Sequence, residues 1–91
     1  MSESPTQDDI NEGIVLEQAE ITLSRGFKTC KDWGYRAWYN RKILAETSYD
    51  GIWKALKKHR ESLCSPRIFS VNDHGNVTEY SYTGKVLGEW V

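Results

Sequence analysis

Two runs of alternating residues, Arg67-Ile-Phe-Ser-Val-Asn72 and Val77-Thr-Glu-Tyr-Ser-Tyr82, flank the tetrapeptide Asp73-His74-Gly75-Asn76. Turn formers between two period-two runs predict a β-hairpin. Centring the turn on His74-Gly75 pairs Asn72 with Val77 and Phe69 with Tyr80. Phe69, Val71, Tyr80 and Tyr82 then share one face, with Ser70, Glu79 and Ser81 on the other. Thr83-Gly84 predicts a second turn, and Lys85–Trp90 a further strand. A sheet of this kind must bury one face, so helices have to come from elsewhere in the chain.

The preceding segment supplies one. Gly51-Ile-Trp-Lys-Ala-Leu-Lys-Lys-His-Arg-Glu-Ser-Leu63, capped by Asp50, predicts a helix over 50–63. At about 100° per residue, Ile52, Ala55, Leu56, His59 and Leu63 share an arc with Trp53 on its border. Lys54, Lys57 and Lys58 take the opposite arc, Arg60 lies beside Trp53, and Pro66 prevents continuation. Residues 33–47 predict a hairpin turning at Asn40-Arg41, because Asn tolerates positive φ. Tyr39 then pairs with Lys42, Trp38 with Ile43 and Ala37 with Leu44. Trp33, Tyr35, Ala37, Tyr39, Lys42, Leu44 and Glu46 fall on one face; Arg36, Trp38, Ile43, Ala45 and Thr47 on the other.

At the start of the chain, Ile10, Ile14, Glu17 and Ile21 follow helical steps, and Leu16, Ala19 and Leu23 form an adjacent row. Asp9 and Glu12 resemble a capping box, and Gly26 sits where a C-cap glycine would. This predicts a helix over 9–24, although Gly13 lies inside it and Ile21-Thr-Leu23 alternates like a strand. Residues 1–8 predict a disordered acidic tail. The expectation is one small α+β domain over 9–91. Its order is α-β-β-α-β-β-β, with two helices on an antiparallel sheet of four to five strands. With 91 residues there is room for a single modest core. The run 33–63 resembles many small bacterial and phage α+β domains in architecture, without a motif that defines a family.

Charge is unevenly spread. Residues 1–24 contain six acidic residues and no Lys or Arg; residues 25–67 contain eleven basic and four acidic residues, a net of +7. Residues 68–91 carry −2 and the whole chain −1. A basic middle between acidic ends suits an anionic partner. The plainer alternative is a solvated helix face that serves solubility. Lys54, Lys57, Lys58 and Arg60, with Arg36, Arg41 and Lys42, are the candidate phosphate contacts. Tyr35, Trp38 and Tyr39 are the candidate stacking rings. The same rings and cations would equally form a hot spot for protein binding.

Other chemistries find little support. No nucleophile elbow or phosphate-binding glycine loop occurs. Cys30, His59, Cys64 and His74 fit no metal-ligand spacing. No catalytic residues, metal or cofactor are therefore expected. Two cysteines and the polar start MSESPTQDD predict reduced thiols in a cytoplasmic protein without a secretory signal. Nothing approaches the roughly 18 apolar residues of a membrane helix. The expected function is a non-enzymatic nucleic-acid-binding module. The alternative is a small inhibitor or adaptor, of phage or mobile-element type, that docks on a larger acidic protein.

Overall fold

A computed structural model describes residues 5–90. The element order is α1 (Gln7–Glu12), β1 (Ile14–Arg25), β2 (Lys28–Tyr39), β3 (Lys42–Thr47), α2 (Tyr49–His59), β4 (Ile68–Val71), β5 (Val77–Tyr80) and β6 (Val86–Trp90). All six strands form one sheet in the order β3-β2-β1-β4-β5-β6. The α+β class and the two helices hold, but the sheet is larger than expected and mixed. β1 and β4 run parallel, and every other neighbouring pair is antiparallel. The parallel pair follows from α2, which carries the chain back across the sheet so that β4 starts at the same end as β1.

The predicted helix over 9–24 is overturned. Its first part is the short helix α1, capped by Thr6 rather than by Asp9. The Thr6 hydroxyl accepts from the Asp9 amide, and the Asp9 carboxylate accepts from the Thr6 amide. Gly13 ends the helix, and from Ile14 the chain pairs residue by residue with β2. A glycine inside a helix costs about 1 kcal/mol relative to alanine. Beyond it, Ile14, Val15, Ile21 and Thr22 are β-branched strand formers. Of the expected tail, residues 1–4 lie outside the described residues, and Gln7 and Asp8 open α1.

The β2–β3 turn is where the sequence places it. Asn40 and Arg41 take φ of 52° and 64°, a two-residue turn with both centres left-handed. Tyr39 pairs with Lys42 and Trp38 with Ile43 as expected. A bulge then pairs Ala37 with Ala45 instead of Leu44. That extra residue moves Ala45 and Thr47 to the face of Ala37, and Glu46 to the face of Arg36. The β4–β5 hairpin is also offset by one: Val71 pairs with Val77, Phe69 with Glu79 and Ile68 with Tyr80. Asn72 causes the shift. Its side-chain oxygen accepts from the amides of His74 and Asn76, and its own amide donates to the Asn76 carbonyl, so a five-residue loop replaces the tight turn. Phe69 and Tyr80 therefore lie on opposite faces.

Helix α2 covers one face. Its cap is Ser48, not Asp50, and it ends at His59, four residues earlier than expected. Ile52, Trp53 and Leu56 pack on Ile14, Leu16, Ala37 and Ile68, with Tyr35, Tyr39, Leu44, Ala45, Tyr80 and Tyr82 around them. Phe69 faces the other way and is still fully buried. The Arg67 guanidinium lies 4.9 Å from its ring centroid, and the chain at Gly13 presses against it. A Cβ on Gly13 would sit 2.9 Å from the Phe69 ring. None of the described helices is long and apolar enough to cross a membrane.

Candidate nucleic-acid interface

The candidate cations separate into three groups. On α2, Lys54, Lys57 and Lys58 point away from Ile52 and Leu56 and are exposed. Among the described residues none of the three lies in an ion pair. Arg60, at the C-cap of α2, is also exposed. Its guanidinium stacks 5.2 Å from the Tyr82 ring centroid and donates to the Ser65 hydroxyl at 3.3 Å. Lys42 shares the α2 face through its pairing with Tyr39. Tyr39 and Tyr82 both pack against the core, and Arg60 lies over Tyr82. Burial raises the Tyr82 hydroxyl pKa, Arg60 opposes that rise, and Tyr39 adds to it. Lys42 and Arg60 thus lie on the same face.

Arg41 belongs to the second group. It lines a hollow of about 460 Å³ on the face away from α2, together with Trp38, Val15, Asn40 and the α1 residues Ile10 and Asn11. Arg36 is the third case. It sits between Glu17 at 3.3 Å and Glu46 at 2.8 Å, a three-strand ladder on that same face. Hydrogen bonding to Glu46 is the main reason its pKa is raised. Its charge is already matched by two carboxylates.

The candidate rings divide in the same way. Tyr35 stands on the α2 face, 5.2 Å from Tyr49, which meets Trp53 at 5.7 Å; Trp53 meets Tyr80 at 5.4 Å. This row closes the N-terminal end of α2 onto the sheet, and burial raises the Tyr35 pKa. Tyr35 and Tyr39 pack against the core. Trp38 is half-buried on the opposite face, beside Arg41. The structure brings together Trp38 with Arg41 and places Lys42 and Arg60 on the α2 side of the sheet, but does not gather all ten residues on one wall.

The outer halves of β1 and β2 form a ribbon that the predicted helix over 9–24 does not foresee. β4 flanks β1 only at Ile14–Leu16, and β3 flanks β2 only at Tyr35–Tyr39. From there to Arg25 and Lys28, among the described residues, the two strands pair only with each other. Ile21 anchors the base of this ribbon. Its side chain lies over Gly34, where a Cβ would be 2.3 Å from Ile21 Cδ1 and 2.7 Å from the Thr47 carbonyl oxygen. Beyond it, Phe27 is fully exposed at the tip, with Lys28 and Lys31 also exposed. The signal was present in the alternation Ile21-Thr-Leu23 ahead of Arg25-Gly26-Phe27-Lys28.

Cys30 and Cys64 are free and exposed. Among the described residues no three His, Cys, Asp or Glu side chains form a metal-binding group. No family model, curated protein or solved structure is significantly similar to this chain.

Proposed function

We propose that the chain is a non-enzymatic nucleic-acid-binding module of the cytoplasm. The observation that carries this reading is the exposed row Lys54, Lys57 and Lys58, with Lys42 and Arg60 on the same side of the sheet. A row of ammonium groups on one helix can neutralise several phosphates and release their counterions. Arg41 adds support from the backbone. Its φ of 64° is a conformation in which a non-glycine residue is strained by about 1–2 kcal/mol. A cation kept there against that strain, next to Trp38, suits a contact role. Arg36 orients the sheet face through its two carboxylates and does not contact phosphate. The acidic residues of α1, beside the Arg41 hollow, weaken non-specific binding by competing for the same cation.

Fluorescence anisotropy with labelled single- and double-stranded DNA and RNA tests this. Binding is expected at low salt and should fall steeply as salt rises. Lys54→Gln/Lys57→Gln/Lys58→Gln should weaken every nucleic acid alike and lower the salt slope by about one per lysine. Absence of binding at low salt, or binding indifferent to salt, removes the reading.

A second reading rests on the other face. There Val15, Trp38, Ile43 and Val71 surround the neutralised ladder Glu17–Arg36–Glu46, and Ile43 and Val71 are exposed. An apolar rim around matched charges suits a protein partner better than phosphate. This is the inhibitor or adaptor alternative. It gains if no nucleic acid binds and a protein retained after nuclease treatment is lost with Trp38→Ala.

A further inference from the structure

We propose that the tip of the β1–β2 ribbon is an arm that enters a groove of B-form DNA, with Phe27 against the bases and Lys28 and Lys31 on the flanking phosphates. The proposal rests on the nucleic-acid reading and adds to it the site, the ligand form and the residues. Three observations carry it. Beyond Ile21 paired with Asp32, four further residue pairs run to Arg25 and Lys28 without a third strand. At about 3.4 Å per residue, that tip reaches about 14 Å past its anchor. That reach exceeds the depth of either B-form groove, about 8.5 Å for the major and about 7.5 Å for the minor, and strand ribbons enter both. A strand of unpaired bases needs only a flat platform, and the A-form major groove is too narrow for side chains to read. The reach therefore fits duplex DNA.

The second observation is charge. Residues 21–31 include Arg25, Lys28 and Lys31 and no Asp or Glu, while Glu20 and Asp32 stand at the base of the ribbon. A tip that is purely cationic complements a groove walled by phosphates. The third is Phe27 itself. It is as exposed as a side chain can be, at the outermost turn of the ribbon. Apolar wedges of this kind press between base steps and partly unstack them. At that exposure the ring packs on none of the described residues and is open to a ligand.

The test uses the full chain and a duplex carrying 2-aminopurine, alongside the same strand unpaired. Wild type is expected to bind the duplex and to brighten the probe at the step it unstacks. Phe27→Ala should weaken duplex binding about tenfold, abolish the brightening, and leave binding of the unpaired strand within about twofold. Lys28→Gln/Lys31→Gln should lower the duplex salt slope by about two. Circular dichroism and thermal melts are expected to match wild type for both variants. Duplex binding unchanged by Phe27→Ala overturns the arm and leaves the lysine row of α2 standing. Equal losses for duplex and single strand overturn it too. So does a wild-type dimer in sedimentation that Phe27→Ala converts to monomer, since the tip would then meet a second copy of the chain. If wild type binds RNA but no DNA at low salt, the arm falls and the broader reading stands; if it binds neither, both fall.

Discussion

Strand β1 lives in two environments. At Ile14–Leu16 it has β2 on one side, β4 on the other and α2 above. At Thr22–Arg25 its only strand partner among the described residues is β2. Ile14 and Leu16 are buried, while Thr22 and Ser24 are exposed. An isolated two-stranded hairpin is marginal in water. The outer half of β1 persists because its inner half is fixed. The difference divides one strand in two: the half up to Ile21 holds the fold, and the half beyond it adds only its pairing with β2.

The sharpest way to break this division is to damage each half in turn. Leu56 is fully buried under the sheet. Leu56→Ala should cost about 2–5 kcal/mol in urea denaturation, a large share of the stability of a domain this small. Phe27→Ala should change stability by no more than about 0.5 kcal/mol. Hydrogen exchange should rank the amides alike, with Leu16 and Ala37 near the global opening energy and Thr22 and Lys31 exchanging early. Comparable losses from the two variants would mean that the ribbon is part of the cooperative core.

A smaller effect is expected where the two halves join. A Cβ at Gly34 would lie 2.3 Å from Ile21 Cδ1. Gly34→Ala should therefore cost about 1–3 kcal/mol. Adding Ile21→Ala should recover part of that loss, because the two sites share one space. Strict additivity of the two changes in urea melts would show that the contact does not hold the ribbon's base.

Arg41→Gly should act in the opposite sense. Relief of left-handed strain, less the greater chain entropy of glycine, leaves a gain of about 0.5 kcal/mol. The same change should weaken nucleic-acid binding, so a stability gain with unchanged affinity would strip Arg41 of its contact role.

What was legible in the sequence follows from how local each signal is. The Asn40-Arg41 turn and the apolar arc Ile52, Leu56 are written within a few residues, and both appear where expected. Register was less legible. Whether Phe69 meets Tyr80 or Glu79 depends on the Asn72 side chain completing a loop, which alternation does not reveal. The segment 14–25 failed for a different reason. Ile14 and Ile21 stand seven residues apart, as a helical period has them, while Ile21-Thr-Leu23 follows a period of two, and only the partner strand decides between the two readings. That partner is Lys28–Tyr39, whose outer part precedes the hairpin predicted over 33–47. The candidate site suffered in turn. Lys54, Lys57 and Lys58 were legible because helix geometry alone exposes them, whereas Arg36 faces Glu17 and Glu46 only through strand pairing.

Acid offers the mildest probe of the same division, because it acts on the body and spares the ribbon's tip. Asp9 holds α1 in place. Its carboxylate accepts from the Thr6 amide at 3.0 Å and lies 3.7 Å from Arg67. Arg67 in turn pairs with Glu79 at 2.8 Å and covers Phe69. Hydrogen bonding from the Thr6 backbone is the leading cause that holds the Asp9 carboxyl below its usual 3.8, and Arg67 contributes less. A depressed carboxyl pKa stabilises the folded form above the unfolded value, and the contribution fades as pH falls through the folded one. The cap should thus be complete above pH 3.8 and loosen below it. By NMR, the Thr6 and Asp9 amides should titrate with a midpoint under 3.8, while Thr22, Ser24 and Thr29, which lie on a stretch without carboxylates, stay still. Asp9→Asn should flatten the Thr6 titration. A midpoint at or above 3.8, or a ribbon tip that shifts in step with Thr6, would tie the two halves of the molecule together after all.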